Sequence, residues 1–166
     1  MNEPPKEPVK YVDSHVRLPY HYVAGDYRAL QLRAFKDKKI LGSKDSTTGK
    51  VFIPPIVNSP ESFAPCEEFV AVSDKGVVTT FCIVCIPVIG REIELPYVAA
   101  SVALDGADIS IFAAIQECKA ADVRMGMRVE AKWRPQSEWV PGLQNIEYFR
   151  PTGEPDADYD SFKEHL

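Results

Sequence analysis

Two runs rich in β-branched and small apolar residues, 76–88 (GVVTTFCIVCIPV) and 96–104 (PYVAASVAL), leave the middle of this chain little freedom. Such residues sit well on a pleated surface and lose side-chain freedom in a helix. The second run begins with Pro96, a position that a strand tolerates. It ends on Asp105-Gly106, which predicts a tight turn into another strand over 108–114. Further on, 119–123 reads as one helical turn, Gly126 opens a strand over 127–133, and 146–149 forms a last short strand. Residues 68–72 alternate weakly, and Asp74-Lys75-Gly76 supplies a turn. Five or so strands, with a helical turn between the third and a later one, predict a small Greek-key barrel of the OB type.

Upstream, residues 40–62 (ILGSKDSTTGKVFIPPIVNSPES) are laid out as a short hairpin, a Pro54-Pro55 step and a second turn. A zinc ribbon is built this way, from two knuckles that each offer two ligands three residues apart. Here the knuckle positions hold Asp45 and Thr48, then Ser59 and Ser62. None is a cysteine or a histidine. The stretch reads as a ribbon that keeps its shape without its metal. Its hold is then expected from packing of Val51, Phe52 and Ile53, from Pro54-Pro55, or from a partner.

The segment before it has a different character. Four prolines fall among the first twenty residues, and the first 25 are expected to lie extended on the surface. His15 and His21, six apart with no cysteine nearby, read as hydrogen-bonding or surface histidines. Asp26 suits the N-cap of a helix running to about Lys39. Tyr27, Leu30, Ala34 and Phe35 give it one apolar stripe. Arg28, Arg33, Lys36, Lys38 and Lys39 decorate the rest, as a solvated face or as a basic wall for phosphates. Charge is unevenly spread: residues 1–50 carry a net +4 and residues 51–166 a net −9. An anionic ligand would therefore favour the N-terminal third. The last sixteen residues hold five acids and one lysine, which predicts a mobile tail or one that wraps a partner.

A chain of 166 residues can bury a core without staples, so loss of a structural metal is survivable. No window approaches the roughly 18 apolar residues of a membrane helix. The start, MNEPPKEPVK, lacks the apolar centre of a signal peptide. A cytoplasmic protein with reduced thiols is expected.

Candidate constellations are few. Cys82 and Cys85 have C-x-x-C spacing, but in a strand residues three apart point to opposite faces, so they read as small buried hydrophobes. There is no Gly-rich phosphate loop, no HExxH and no G-x-S-x-G. Asp105 and Asp108 read as turn residues, and Cys66 has no nearby histidine. No catalytic site assembles from the sequence. An OB barrel raises nucleic-acid binding as the alternative, with Phe81 and Tyr97 as stacking platforms. The acidic balance after residue 50 opposes it. A free-standing acyl-CoA-binding or hydratase-like enzyme is a third reading, without residues that predict it.

A set of collinear segments carries a resemblance. RLPYHYVAG (17–25) leads into the helix and Ile40-Leu41-Gly42. Then follow GKVFIPP (49–55), GVVTTF (76–81), PYVAASVALDGAD (96–108), ADVRMGMRVEAKW (121–133) and NIEYFRPTGEPDA (145–157). Over 17–154 the chain resembles the zinc-ribbon/OB-fold family of acyl-CoA-associated proteins, long catalogued as a domain of unknown function. It looks most like members that accompany the lipid-transfer-protein type of thiolase in sterol or lipid catabolism. The resemblance implies a mainly β fold. An arm and helix (1–39) precede a degenerate rubredoxin-like ribbon (40–66). A five-stranded OB barrel (67–150) and an extended acidic tail (151–166) follow.

It also implies a non-catalytic accessory subunit of a thiolase-fold enzyme, in a hetero-oligomer with the CoA thioester at the shared interface. The candidates for contact with CoA or the partner are Arg28, Arg33, Lys36, Lys39, Lys44, Lys50, Pro54, Pro55, Phe81 and Tyr97. Where the family carries C-x-x-C twice, this chain has Asp45-Ser-Thr-Thr48 and Ser59-Pro-Glu-Ser62. No zinc is therefore expected.

Overall fold

The computed structural model describes residues 14, 16–86 and 94–166. His15 and the last two positions of the 76–88 run lie outside them. Among the described residues eight strands form two sheets. A small sheet of order β2-β1-β3 comprises β1 (Ile40–Lys44), β2 (Val51–Phe52) and β3 (Glu68–Val72). A closed barrel runs β4-β5-β6-β8-β7, with β4 (Lys75–Val84), β5 (Tyr97–Leu104), β6 (Ile111–Ile115), β7 (Arg128–Trp133) and β8 (Ile146–Pro151). All barrel pairings are antiparallel except β6 with β8, which meet in parallel at Ile115 and Phe149. A single 3₁₀ turn (Ala120–Asp122) follows the third barrel strand. This is the five-stranded OB topology.

Closure buries Val78, Val98, Val102, Leu104, Val129 and Phe149 almost completely, and the alternating apolar residues of each strand supply them. Gly76 is where three strands crowd. It pairs with Leu104 on β5 and Val129 on β7, and a Cβ there would stand 2.3 Å from the Ala103 carbonyl oxygen. Only glycine allows that approach.

Several expectations change. The 67–150 range drawn for the barrel includes β3, but β3 pairs with β1 along its whole length, from Ile40–Val72 to Lys44–Glu68. It completes the small sheet rather than the barrel. The helix α1 spans Asp26–Ala34, and a 3₁₀ turn (Phe35–Asp37) extends it to Lys38, which ends it in the left-handed region at φ 57°. Its N-cap is Gly25, at φ 76°, so Asp26 is the first helical residue rather than the cap. The buried face is also shifted. Leu30 is exposed and Gln31 is buried beside Ala34 and Phe35, because the Gln31 Oε1 accepts the Leu41 N–H at 2.8 Å.

Cys82 and Cys85 are exposed rather than buried. Beyond Val77, β4 is paired with β5 alone, since its ladder with β7 covers only Lys75–Val77. The far half of the strand is thus paired along one edge only, and Cys82 lies on it with Cys85 just past its end.

The acidic tail is folded onto its own barrel. Asp156 pairs with Arg124, and Glu154 with Lys75 and Arg128. The Ala157 N–H reaches the Gly126 carbonyl, and Phe162 is buried. Two 3₁₀ turns, Tyr159–Ser161 and Lys163–His165, finish the chain. Two of the tail's five acids, Glu154 and Asp156, thus meet cations from β4, β7 and the loop before β7, against the expectation of a mobile or partner-wrapping tail.

Small sheet and barrel are stitched together. The Val51 N–H donates to the Asp108 carboxylate at 2.8 Å, and the Asp108 N–H donates to the Val51 carbonyl at 2.9 Å. Buried Asn145 spans further, donating to the carbonyls of Val140 and Phe35 and accepting from the Val140 N–H. Asp105 holds Arg128 through two hydrogen bonds. Both aspartates thus act as structural turn residues.

Candidate functional site

The ribbon brings its four knuckle positions onto one carboxylate. Asp45 follows directly after β1, and the next turn returns the chain so that Thr47 and Thr48 donate their backbone N–H groups to Asp45 Oδ1, at 2.7 and 3.2 Å. The second knuckle repeats the device with a hydroxyl. The N–H groups of Glu61 and Ser62 donate to Ser59 Oγ at 3.2 and 3.3 Å. The two halves join where Ser62 Oγ donates to Asp45 Oδ2 at 2.6 Å. Asp45 and Ser59 are buried, Ser62 is half-buried and Thr48 is exposed. The Ser62 hydroxyl above all, then the Thr47 N–H and the hydroxyls of Ser59 and Thr48, holds the Asp45 carboxyl well below the usual carboxylate range, against the opposing effect of burial.

Zinc in a structural site takes four donors, overwhelmingly thiolate or imidazole. Here three of the four are neutral hydroxyls, and the one carboxylate is already occupied by N–H and O–H donors. Among the described residues no group of three or more His, Cys, Asp or Glu converges to hold a metal ion. The donor set does not fit zinc. Cys66, buried nearby, offers no reactive thiolate, since burial and the Asp45 charge both push its thiol up.

The predicted contact residues fall into three groups. Arg28, Arg33, Lys36 and Lys39 lie exposed along α1 and the turn after it. None joins a salt bridge among the described residues. Lys44 and Lys50 are engaged, with Glu68 at 3.6 Å and with Glu61 at 2.7 Å. The Glu61 carboxylate raises the Lys50 ammonium above its ordinary value.

The third group is not brought to that face as a set. Pro54 is exposed at the edge of a cleft under α1, whereas Pro55 is buried. Phe81 packs partly against the barrel core, and Tyr97 lines a separate cavity with Glu94, Glu117 and Lys119. Neither forms an open stacking platform.

The cleft is what the sequence did not announce. It measures about 400 Å³ and lies where arm, helix, ribbon and barrel meet, with Arg28, Gln31, Phe35, Ile53 and Ile111 among its walls. The only signal for it was Gln31, a polar residue on the buried side of a short helix. Among the described residues no helix is long and apolar enough to cross a membrane.

Comparison with known proteins follows the same lines. A search of curated proteins finds no match. A chain of a solved Ltp2-ChsH2(DUF35) aldolase is similar at 20% identity and a TM-score of 0.55, over 75% of this chain and 93% of that one. A protein of unknown function from the DUF35 family of Sulfolobus solfataricus is similar at 18% identity and a TM-score of 0.56, over 76% and 84%. At these identities the likeness is one of fold. Residues 69–134 match the ChsH2 C-terminal OB-fold domain. The closed five-stranded topology agrees with that match, so the likeness to the ChsH2 C-terminal OB-fold domain rests on the barrel region.

Proposed function

We propose that the chain is a non-catalytic accessory subunit of a thiolase-fold, lipid-transfer-protein-type enzyme that acts on acyl-CoA thioesters in lipid or sterol catabolism. One observation carries the reading. The likeness to a chain of the Ltp2-ChsH2 aldolase covers 93% of that chain, in keeping with the match of residues 69–134 to the ChsH2 C-terminal OB-fold domain. The site geometry is consistent with a helper role. The Asp45 carboxylate is spent on holding two knuckles together, and Asp105 and Asp108 on joining strands and sheets. The ribbon works without zinc, with hydrogen bonds doing the joining that a metal does elsewhere.

CoA phosphates would meet the free cations Arg28, Arg33, Lys36 and Lys39, rather than Lys44 and Lys50, whose charges are already matched. The partner supplies the nucleophile. The test is turnover of acyl-CoA by the isolated chain, by the thiolase-like protein encoded nearest to it, and by the two together. Activity confined to preparations containing the partner, and raised by this chain, is the expected result. Turnover by the isolated chain would overturn the reading.

A further inference from the structure

The apolar lining of the cleft under α1 does not account for the amide on its wall. Gln31 is only 4% exposed and lines the cleft. Its Oε1 accepts the Leu41 N–H at 2.8 Å, which fixes the orientation of the amide. Its Nε2 then has no acceptor. Buried donors nearly always have partners, and one left without is costly. Three residues earlier on the helix stands Arg28, which also lines the cleft and has no acidic partner among the described residues. Residues three apart share one helix face, so guanidinium and amide address the same space.

Most of the remaining wall is apolar, with Phe35 after α1, Ile53 just past β2 and Ile111 on β6, while Tyr22 and Gln144 add two uncharged polar side chains. A cleft of about 400 Å³ is of metabolite size, small-molecule sites spanning roughly 300–1,000 Å³.

We infer that this cleft binds a small amphipathic acid, a short aliphatic or single-ring body ending in one carboxylate. The body covers the apolar walls. The carboxylate accepts from the Arg28 guanidinium and from Gln31 Nε2, which supplies the acceptor that the fold leaves out. A phosphate fits less well, because Arg28 is the one charged residue lining the cleft and a phosphate brings more than one negative charge. The site is a property of the isolated chain and does not rest on the partner reading, so either can fail without the other.

Isothermal titration of the full chain tests it, with octanoate, octanol and inorganic phosphate as probes. Saturable one-to-one binding of octanoate is expected, with octanol weaker by about tenfold and phosphate without effect. Arg28→Gln changes an exposed side chain and should weaken octanoate by about tenfold or more. Gln31→Glu keeps an acceptor for Leu41 but turns the free donor into a carboxylate, and should abolish binding. If Gln31→Glu does not fold, Arg28→Gln and the octanol comparison decide the matter. No saturable binding of octanoate would overturn the proposal. So would octanol binding as tightly as octanoate, or octanoate binding untouched by Arg28→Gln.

Discussion

Asp45 stands at the centre of the ribbon as a charge that the fold has solvated with its own donors. Because its carboxyl is held below the ordinary value of 3.8 by the Ser62 hydroxyl and the surrounding donors, the ionised form favours the folded state. That contribution is complete above the ordinary carboxylate range and is lost as pH falls through the lowered folded value. Thermal melts should therefore show the native chain losing stability as pH falls below about 5, with the loss continuing below about pH 3. Asp45→Asn should melt lower at neutral pH and depend less on acid. An equal acid slope in both would contradict this role. Ser62→Ala removes a hydrogen bond to a charged group and should cost roughly 1–3 kcal/mol in denaturant unfolding. Elemental analysis of the purified chain should find no stoichiometric zinc.

The residues of this cluster were legible from spacing alone, since knuckle positions recur at fixed intervals. Their hydrogen bonds to one another were not, because hydroxyl spacing carries no statement of which oxygen faces which donor.

At the level of elements, the strand runs announced the barrel because period-two burial needs nothing beyond local sequence. Errors arose where a neighbouring element decides. Gly25 takes the capping place because its φ of 76° suits glycine, and Asp26 then begins the helix. Gln31 is buried because a strand N–H ten residues away claims its oxygen. Cys82 and Cys85 looked buried from composition, yet β4 outruns its β7 partner before reaching them. The same pairing logic yields a test on Gly76. Gly76→Ala forces a Cβ into the Ala103 carbonyl and should destabilise by roughly 1–3 kcal/mol or prevent folding, as read by denaturant unfolding. A neutral outcome would mean that β4 and β5 are not packed as described.

The whole molecule is a ribbon-side sheet and a barrel that share bonds at Val51–Asp108, with the tail folded onto the barrel. The tail was misread from its charge because its cations, Lys75, Arg124 and Arg128, come from elsewhere in the chain. Phe162→Ala should therefore cost roughly 3 kcal/mol in denaturant unfolding, as for a buried aromatic, whereas a free tail would show no change.

The exposed cationic face of α1 and the exposed side chains at the end of β4 leave this body with surface that its own fold does not use. Under the proposed function a second protein covers it. Light scattering on the size-exclusion profile of the chain co-expressed with its neighbouring thiolase-like protein tests this most directly. One peak holding both chains at a fixed ratio is the predicted result. Separate elution of a folded chain and its supposed partner would contradict the account.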